Sequence, residues 1–283
     1  MTKHVLLLII LFFTLACSRN ESLASTNRTT YLESKTIFFE QFVEGDKINR
    51  PVIIQAPDAV DAFGNYPIVI ALHGRGGSNS QWIKTLRSFT ESGEFIGVYP
   101  QGHLNSWNLG QEPSKADDIA FIERVIDSLL LYSNVDGDRI FVLGSSNGAG
   151  LANKLGAESN KIKAIAPVAS QLITSIVITP NKKPVSVFQV NGEKDTTIPI
   201  EGGNKFGHDF LSALESAEKW AGHFNCEATP EIVHENNTTM YTFSNCDSEV
   251  NIKYFVIKNA GHSVGADYPQ LWNEIWNYFK SLK

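Results

Sequence analysis

The sequence predicts an α/β fold, a mostly parallel central sheet with helices on both faces. Three observations predict it. Short apolar runs recur along the chain, each the length of a strand buried on both faces. Stretches with apolar residues three and four apart separate them, as crossover helices do. The 283 residues are 42% hydrophobic and 19% charged, with 17 Phe, 8 Tyr and 5 Trp to fill the core of such a sheet.

The elements follow in chain order. Residues 36–43 and 51–56 read as paired strands joined by a turn around Glu44-Gly45-Asp46. Residues 66–72 are an apolar run that stops at His73-Gly74. A helix over 80–90 and a buried strand over 95–99 come next. In 117–133, Ile119, Ile122, Val125, Ile126, Leu129 and Leu130 fall at helical spacing. Asp117 and Asp118 sit in its first turn, where carboxylates suit the helix dipole. Residues 139–143 read as a strand, 149–157 as a helix, 162–168 and 185–190 as buried strands, and 206–224 as a helix. Strands over 241–243 and 252–257 and an amphipathic helix over 268–280 complete the order. No internal repeat or linker interrupts it, so residues 36–283 read as one domain.

The N-terminus reads differently. Lys3 precedes an apolar run over residues 5–13, then Thr14-Leu15-Ala16-Cys17. A bilayer span needs about 20 apolar residues; this shorter run fits the core of an export signal. Residues 1–16 are expected to be a signal peptide, either of lipoprotein type with Cys17 lipidated or of ordinary type cleaved after Ala16 or Ala24. Residues 17–35, rich in Ser, Thr and Asn, read as a flexible tether. The expected location is outside the cytoplasm: secreted, periplasmic or lipid-anchored at the envelope, touching a membrane only through that lipid. A net charge of -6 argues against a nucleic-acid partner, whose phosphates need a basic footprint.

Gly144-Ser145-Ser146-Asn147-Gly148 lies between an expected strand and an expected helix. G-x-S-x-G in that context is a tight turn that exposes a serine hydroxyl at a sheet edge. Ser146, not Ser145, has glycine two residues away on both sides. A serine is a poor nucleophile near neutral pH, so a His must take its proton and a carboxylate must orient the His. In sites of this kind the acid and then the His follow the serine along the chain. His262 follows the strand over 252–257, at the sheet edge where α/β sites gather. His208 and His223 fall on the expected helix over 206–224, and His234 in a polar strand or turn. Asp195 lies in the loop after the strand over 185–190; Glu193 is its nearest rival, and Lys194-Asp195-Thr196-Thr197 is also good turn chemistry.

Leu72-His73-Gly74-Arg75-Gly76-Gly77 follows the strand over 66–72. A backbone N–H from such a loop and the N–H after the nucleophile form an oxyanion hole; here they belong to Arg75 and Asn147. His73 is expected to tie the loop down. No H-E-x-x-H and no clustered His/Cys spacing points to a metal, and no cofactor is expected.

Taken together, these stretches resemble the secreted α/β-hydrolase esterases grouped with polyhydroxybutyrate depolymerases and bacterial feruloyl and acetylxylan esterases. The resemblance is carried by Ala71 to Gly77, Val98-Tyr99-Pro100-Gln101-Gly102, Ser106-Trp107, Asp117 to Ile122 and Asp138 to Val142. Gly144 to Gly148, Ala164 to Ala169, Asn191 to Pro199 and Gly261-His262 complete it. It implies the α/β-hydrolase fold, with Ser146 as nucleophile, Asp195 as orienting acid and His262 as base. It further implies the Arg75 and Asn147 amides as oxyanion hole, Trp107 near the substrate cleft, and a disulfide between Cys226 and Cys246. The implied activity is that of an exported serine esterase working through an acyl-enzyme. Its substrate would be polymer-linked: feruloyl or acetyl esters on plant polysaccharide, or a hydroxyalkanoate polyester. Ala149 after Gly148, Asn191 in the acid loop and Ser263-Val264 after His262 depart from the pattern. Trp107 reads equally as a core residue. Because fold does not fix function, two other readings stand: a non-catalytic glycan-binding surface lipoprotein on this scaffold, or a serine peptidase or acyltransferase with the same triad.

Overall fold

A computed structural model describes residues 30–62, 64–180 and 183–282. The expected signal peptide, Cys17 and most of the expected tether lie outside them. β1 (Lys35–Val43) and β2 (Asp46–Gln55) form an antiparallel hairpin with Val43 opposite Asp46. Glu44 and Gly45 between them both have positive φ, 51° and 94°, the turn whose twist suits two paired strands. The chain continues through β3 (Tyr66–Leu72), α1 (Gln81–Glu91), β4 (Ile96–Pro100) and α2 (Asp118–Leu129). Then come β5 (Val135–Ser145), α3 (Asn147–Glu158), β6 (Ala164–Val168) and β7 (Ser186–Gly192). β8 (Gly203–Lys205) and β9 (His208–Phe210) pair as a small separate hairpin, followed by α4 (Ala213–His223). β10 (Glu231–His234), β11 (Thr238–Phe243), β12 (Ile252–Ile257), α5 (Val264–Asp267) and α6 (Leu271–Ser281) complete the described chain.

Ten of these strands make one sheet in the order β1-β2-β4-β3-β5-β6-β7-β12-β11-β10. The block from β4 to β12 is parallel. An antiparallel pair flanks it at each edge. Alternation along each strand sends neighbours to opposite faces. Ile68, Ile70 and Leu72 of β3 join Phe121, Val125, Leu151, Leu155 and Trp220 in a core against α2, α3 and α4. Val69 and Ala71 face the other way, onto Trp82 and Leu86 of α1 and Leu271, Ile275, Trp276 and Phe279 of α6. Both faces are therefore covered, which is why the central strands read as unbroken apolar runs. Among the described residues no helix is long and apolar enough to cross a membrane.

One expected element is wrong in its first third. Residues 206–224 do not start as a helix: Phe206 (φ 53°) and Gly207 (φ 81°) turn the β8–β9 hairpin, and the helix begins only after Ser212. Phe206, Phe210 and Leu211 imitate helical spacing. The capping box of Ser212 and Glu215, with each side chain bonded to the other's backbone N–H, marks the true start. Downstream of α4, Cys226 and Cys246 are joined by a disulfide across a sequence separation of 20. Closing a loop of that size in the unfolded chain stabilises the fold by about 3 kcal/mol.

Candidate active site

Parallel register brings four strand ends to one edge. Leu72 pairs with Gly144, and Ile257 with Gly192, so the loops after β3, β5, β7 and β12 leave the sheet side by side. Ser146 stands between β5 and α3 at φ 56° and ψ -119°. A non-glycine residue there costs about 1–3 kcal/mol and persists only where its surroundings enforce it. They do: its N–H donates to Val168 O at 2.9 Å, and its carbonyl accepts from Ala149 at 2.9 Å and Gly150 at 3.1 Å. A Cβ at Gly148 would lie 2.4 Å from Leu72 O and 2.5 Å from His73 O. The turn can close against β3 only because that position carries no side chain.

The acid and histidine loops meet in the same way. A Cβ at Gly192 would lie 2.3 Å from Gly261 O, so the end of β7 packs its bare backbone against the loop that carries His262. The Asp195 side chain is fully buried, and its Oδ1 accepts the N–H groups of Thr197 at 2.8 Å and Ile198 at 3.0 Å. Its Oδ2 lies 2.7 Å from His262 Nδ1, and His262 Nε2 lies 2.8 Å from Ser146 Oγ. With an acceptor facing Nδ1, that nitrogen carries the ring hydrogen and leaves Nε2 free to accept from the serine hydroxyl. Such a chain can pass a proton from hydroxyl to imidazole. Glu193, the sequence rival, instead accepts the Asn259 N–H at 2.9 Å and braces the histidine loop. His234 contacts Thr239 Oγ1, and His223 packs edge-on against Phe224, both away from this site.

Ser146 and His262 open into a cavity of about 230 Å³, walled by Arg75, Asn147, Leu109, Ile198, Phe206 and Phe210, with Glu112 and His208 also lining it. Asn147 is the first residue of α3, where N–H groups have no partner within the helix. Trp107 is not at the cleft. It is completely buried under the loop after β3, and its indole N–H donates to His73 O at 2.8 Å. The indole ring lies 5.0 Å from the His73 ring, centroid to centroid, so it packs against the residue that opens the loop. Asn147 binds the same segment: its Oδ1 accepts the Trp107 N–H at 2.7 Å and its Nδ2 donates to Trp107 O at 3.0 Å. Among the described residues no group of three His, Cys, Asp or Glu side chains is placed to hold a metal.

Two polar residues of this cavity were not foreseen from the sequence. Glu112 is 1% exposed and receives the Arg75 guanidinium at 3.0 Å and His208 Nε2 at 3.0 Å on Oε1. Burial pushes its carboxyl up, but hydrogen bonds from His208 and the Leu109 N–H outweigh this and hold it below the ordinary carboxylate range. Gln111-Glu112-Pro113 looks like a solvated loop, so no spacing betrays it. His208 was obscured by the helix expected over 206–224.

His73 fixes the loop after β3 as a neutral ring. Nδ1 donates to Gly74 O at 2.8 Å, while Nε2 accepts the Gly102 N–H at 2.9 Å. Burial lowers its pKa from the ordinary 6.5, opposed by the Gly74 hydrogen bond and assisted by the nearby Arg50 charge. The unfolded chain therefore binds a proton that the folded chain refuses. Stability is full above the unfolded value and falls as pH drops below it, until the lowered folded value is reached. The slope is up to about 1.4 kcal/mol per pH unit for one proton. Urea unfolding between about pH 7 and pH 5 should show that loss, and His73→Asn should remove one proton's worth of slope. An unchanged slope in the variant would refute this role.

No family model matches the chain. It is similar to feruloyl esterase B of Piromyces equi, 28% identical over 232 residues that cover 76% of this chain and 43% of that protein. A bifunctional acetylxylan esterase/xylanase of Neocallimastix patriciarum is 26% identical over 237 residues, 79% of this chain and 32% of that one. The chain thus spans less than half the length of these two relatives. An acetyl xylan esterase from Aspergillus awamori superposes with a TM-score of 0.61 at 15% identity, over 84% of this chain and 98% of its own. The chain has the α/β-hydrolase fold, and by sequence it is a homologue of proteins named feruloyl and acetylxylan esterases.

Proposed function

We propose that the chain is a carboxylic-ester hydrolase with Ser146 as nucleophile, His262 as general base and acid, and Asp195 as the group that orients His262. The observation that carries this is the hydrogen-bonded series from Asp195 through His262 to Ser146, at 2.7 and 2.8 Å, opening into a partly apolar cavity. Ser146 Oγ adds to the ester carbonyl carbon as its proton moves to His262 Nε2. The carbonyl oxygen becomes an oxyanion facing the N–H groups of Arg75 and Asn147. Collapse breaks the ester C–O bond, and His262 gives its proton to the departing alcohol, leaving an acyl group on Ser146. Water then adds to the acyl carbon while His262 takes its proton; the second collapse returns that proton to Ser146 Oγ and frees the acid.

The names of the relatives support feruloyl or acetyl esters on plant polysaccharide as the substrate class. The walls formed by Leu109, Ile198, Phe206 and Phe210 suit an acyl group of that size. Action outside the cytoplasm is supported by the Cys226–Cys246 disulfide, a bond that persists in oxidising compartments. A fluorophosphonate probe should label Ser146, and the protein should hydrolyse methyl ferulate or acetylated xylan in preference to polyhydroxybutyrate. Absence of both labelling and turnover would favour the non-catalytic glycan binder instead.

A further inference from the structure

We infer that Glu112 is a positioning residue that holds both halves of the oxyanion hole, an inference that rests on the esterase reading above. Three hydrogen-bond donors converge on its Oε1. They are the Arg75 guanidinium at 3.0 Å, His208 Nε2 at 3.0 Å and Asn147 Nδ2 at 3.4 Å. Its Oε2 accepts the Leu109 N–H at 2.7 Å. Arg75 and Asn147 are the two residues whose backbone N–H groups are assigned to the oxyanion. One buried carboxylate therefore binds the side chains of both, and through His208 it also binds the β8–β9 hairpin that walls the cavity.

The need for such an anchor is local. Arg75 lies between Gly74, whose carbonyl His73 Nδ1 holds at 2.8 Å, and Gly76, whose N–H donates to Asn105 O at 2.7 Å, so the loop is pinned on either side and Arg75 itself is left to its side chain. Its side chain is 44% exposed, touching the ring of Phe206 with its guanidinium 5.3 Å from the centroid. The bond to Glu112 is the contact that ties it to buried structure. The charge also has a reason. A bare carboxylate beside a developing oxyanion would oppose it, and the Arg75 guanidinium neutralises Glu112 where it stands.

Both carboxylate oxygens face donors, so an amide cannot replace them. Glu112→Gln turns an NH₂ group either toward Leu109 N–H or toward Arg75 and Asn147, and one side loses its acceptor. The variant should lower kcat for p-nitrophenyl acetate by about 10- to 100-fold with KM almost unchanged, a fraction of the loss of a whole oxyanion donor. Affinity for a boronic acid, whose tetrahedral adduct on Ser146 occupies the same hole, should fall by the same factor. Arg75→Ala, at an exposed side chain, is the second variant: it should also lower kcat at constant KM, and its effect should not add to that of Glu112→Gln. If Glu112→Gln does not fold, Arg75→Ala alone decides. A purely structural role would lower the melting temperature and leave kcat and boronate affinity intact at a temperature where the variant is folded. That result, or independent additivity of the two variants, overturns the inference. An inactive wild-type protein overturns the esterase reading and this inference with it; an active wild type with an unaffected Glu112→Gln overturns the inference alone.

Discussion

Ser146→Ala should reduce kcat for ester hydrolysis by about 10⁴- to 10⁶-fold, the loss found when a triad nucleophile is removed. The fold should survive. The substitution deletes one oxygen and keeps the Cβ, and the strained backbone at φ 56° is enforced by the hydrogen bonds to Val168, Ala149 and Gly150 rather than by the hydroxyl. The urea midpoint should therefore stay near that of the wild type while fluorophosphonate labelling disappears. A variant that is folded and turns over at the wild-type rate would exclude Ser146 as nucleophile.

Asp195→Asn should cost about 10⁴-fold in kcat, for a different reason. Oδ1 of Asp195 accepts two backbone N–H groups, from Thr197 and Ile198, which would select the amide oxygen for that side. The amide NH₂ would then face His262 Nδ1, 2.7 Å away. His262 would have to accept there and carry its hydrogen on Nε2, so the ring would donate to Ser146 Oγ instead of receiving from it. The serine would remain in place with no base. The wrong-tautomer account predicts that the loss shrinks at high pH, where hydroxide can take the serine proton. A loss that is equal at all pH values would contradict it.

The parts of this protein that were legible in the sequence are those written in short stretches. The apolar runs over 66–72 and 185–190 announced strands covered on both faces, because burial on both sides removes polar alternation. Gly144 to Gly148 was legible because a turn that tight tolerates few residues, and the structure shows the contact that excludes a side chain at Gly148. Asp195 and His262 could be nominated because each follows a strand at the same sheet edge, and the structure brings them within 2.7 Å. Where local pattern misled, tertiary context had the stronger hand. Apolar residues between Phe206 and Leu211 imitate a helix, but they form a hairpin that faces the cavity with Phe206, His208 and Phe210. Trp107, which the resemblance put beside the cleft, is fully buried against His73, with its indole N–H on the His73 carbonyl.

The sequence by itself determined the alternation of strands and helices, the serine turn, and the order of serine, acid and histidine along the chain. Each of these is fixed by neighbours a few residues apart. Only the tertiary structure decided that Glu112 takes its hydrogen bonds from Arg75, Asn147 and His208, partners 37, 35 and 96 residues distant. It alone buried Trp107 and made the β8–β9 hairpin a wall of the cavity that holds the serine. Those outcomes depend on which strands pair and in what register, so the loops they bring together share no local pattern. A glutamate in a polar loop looks the same whether it meets water or three donors.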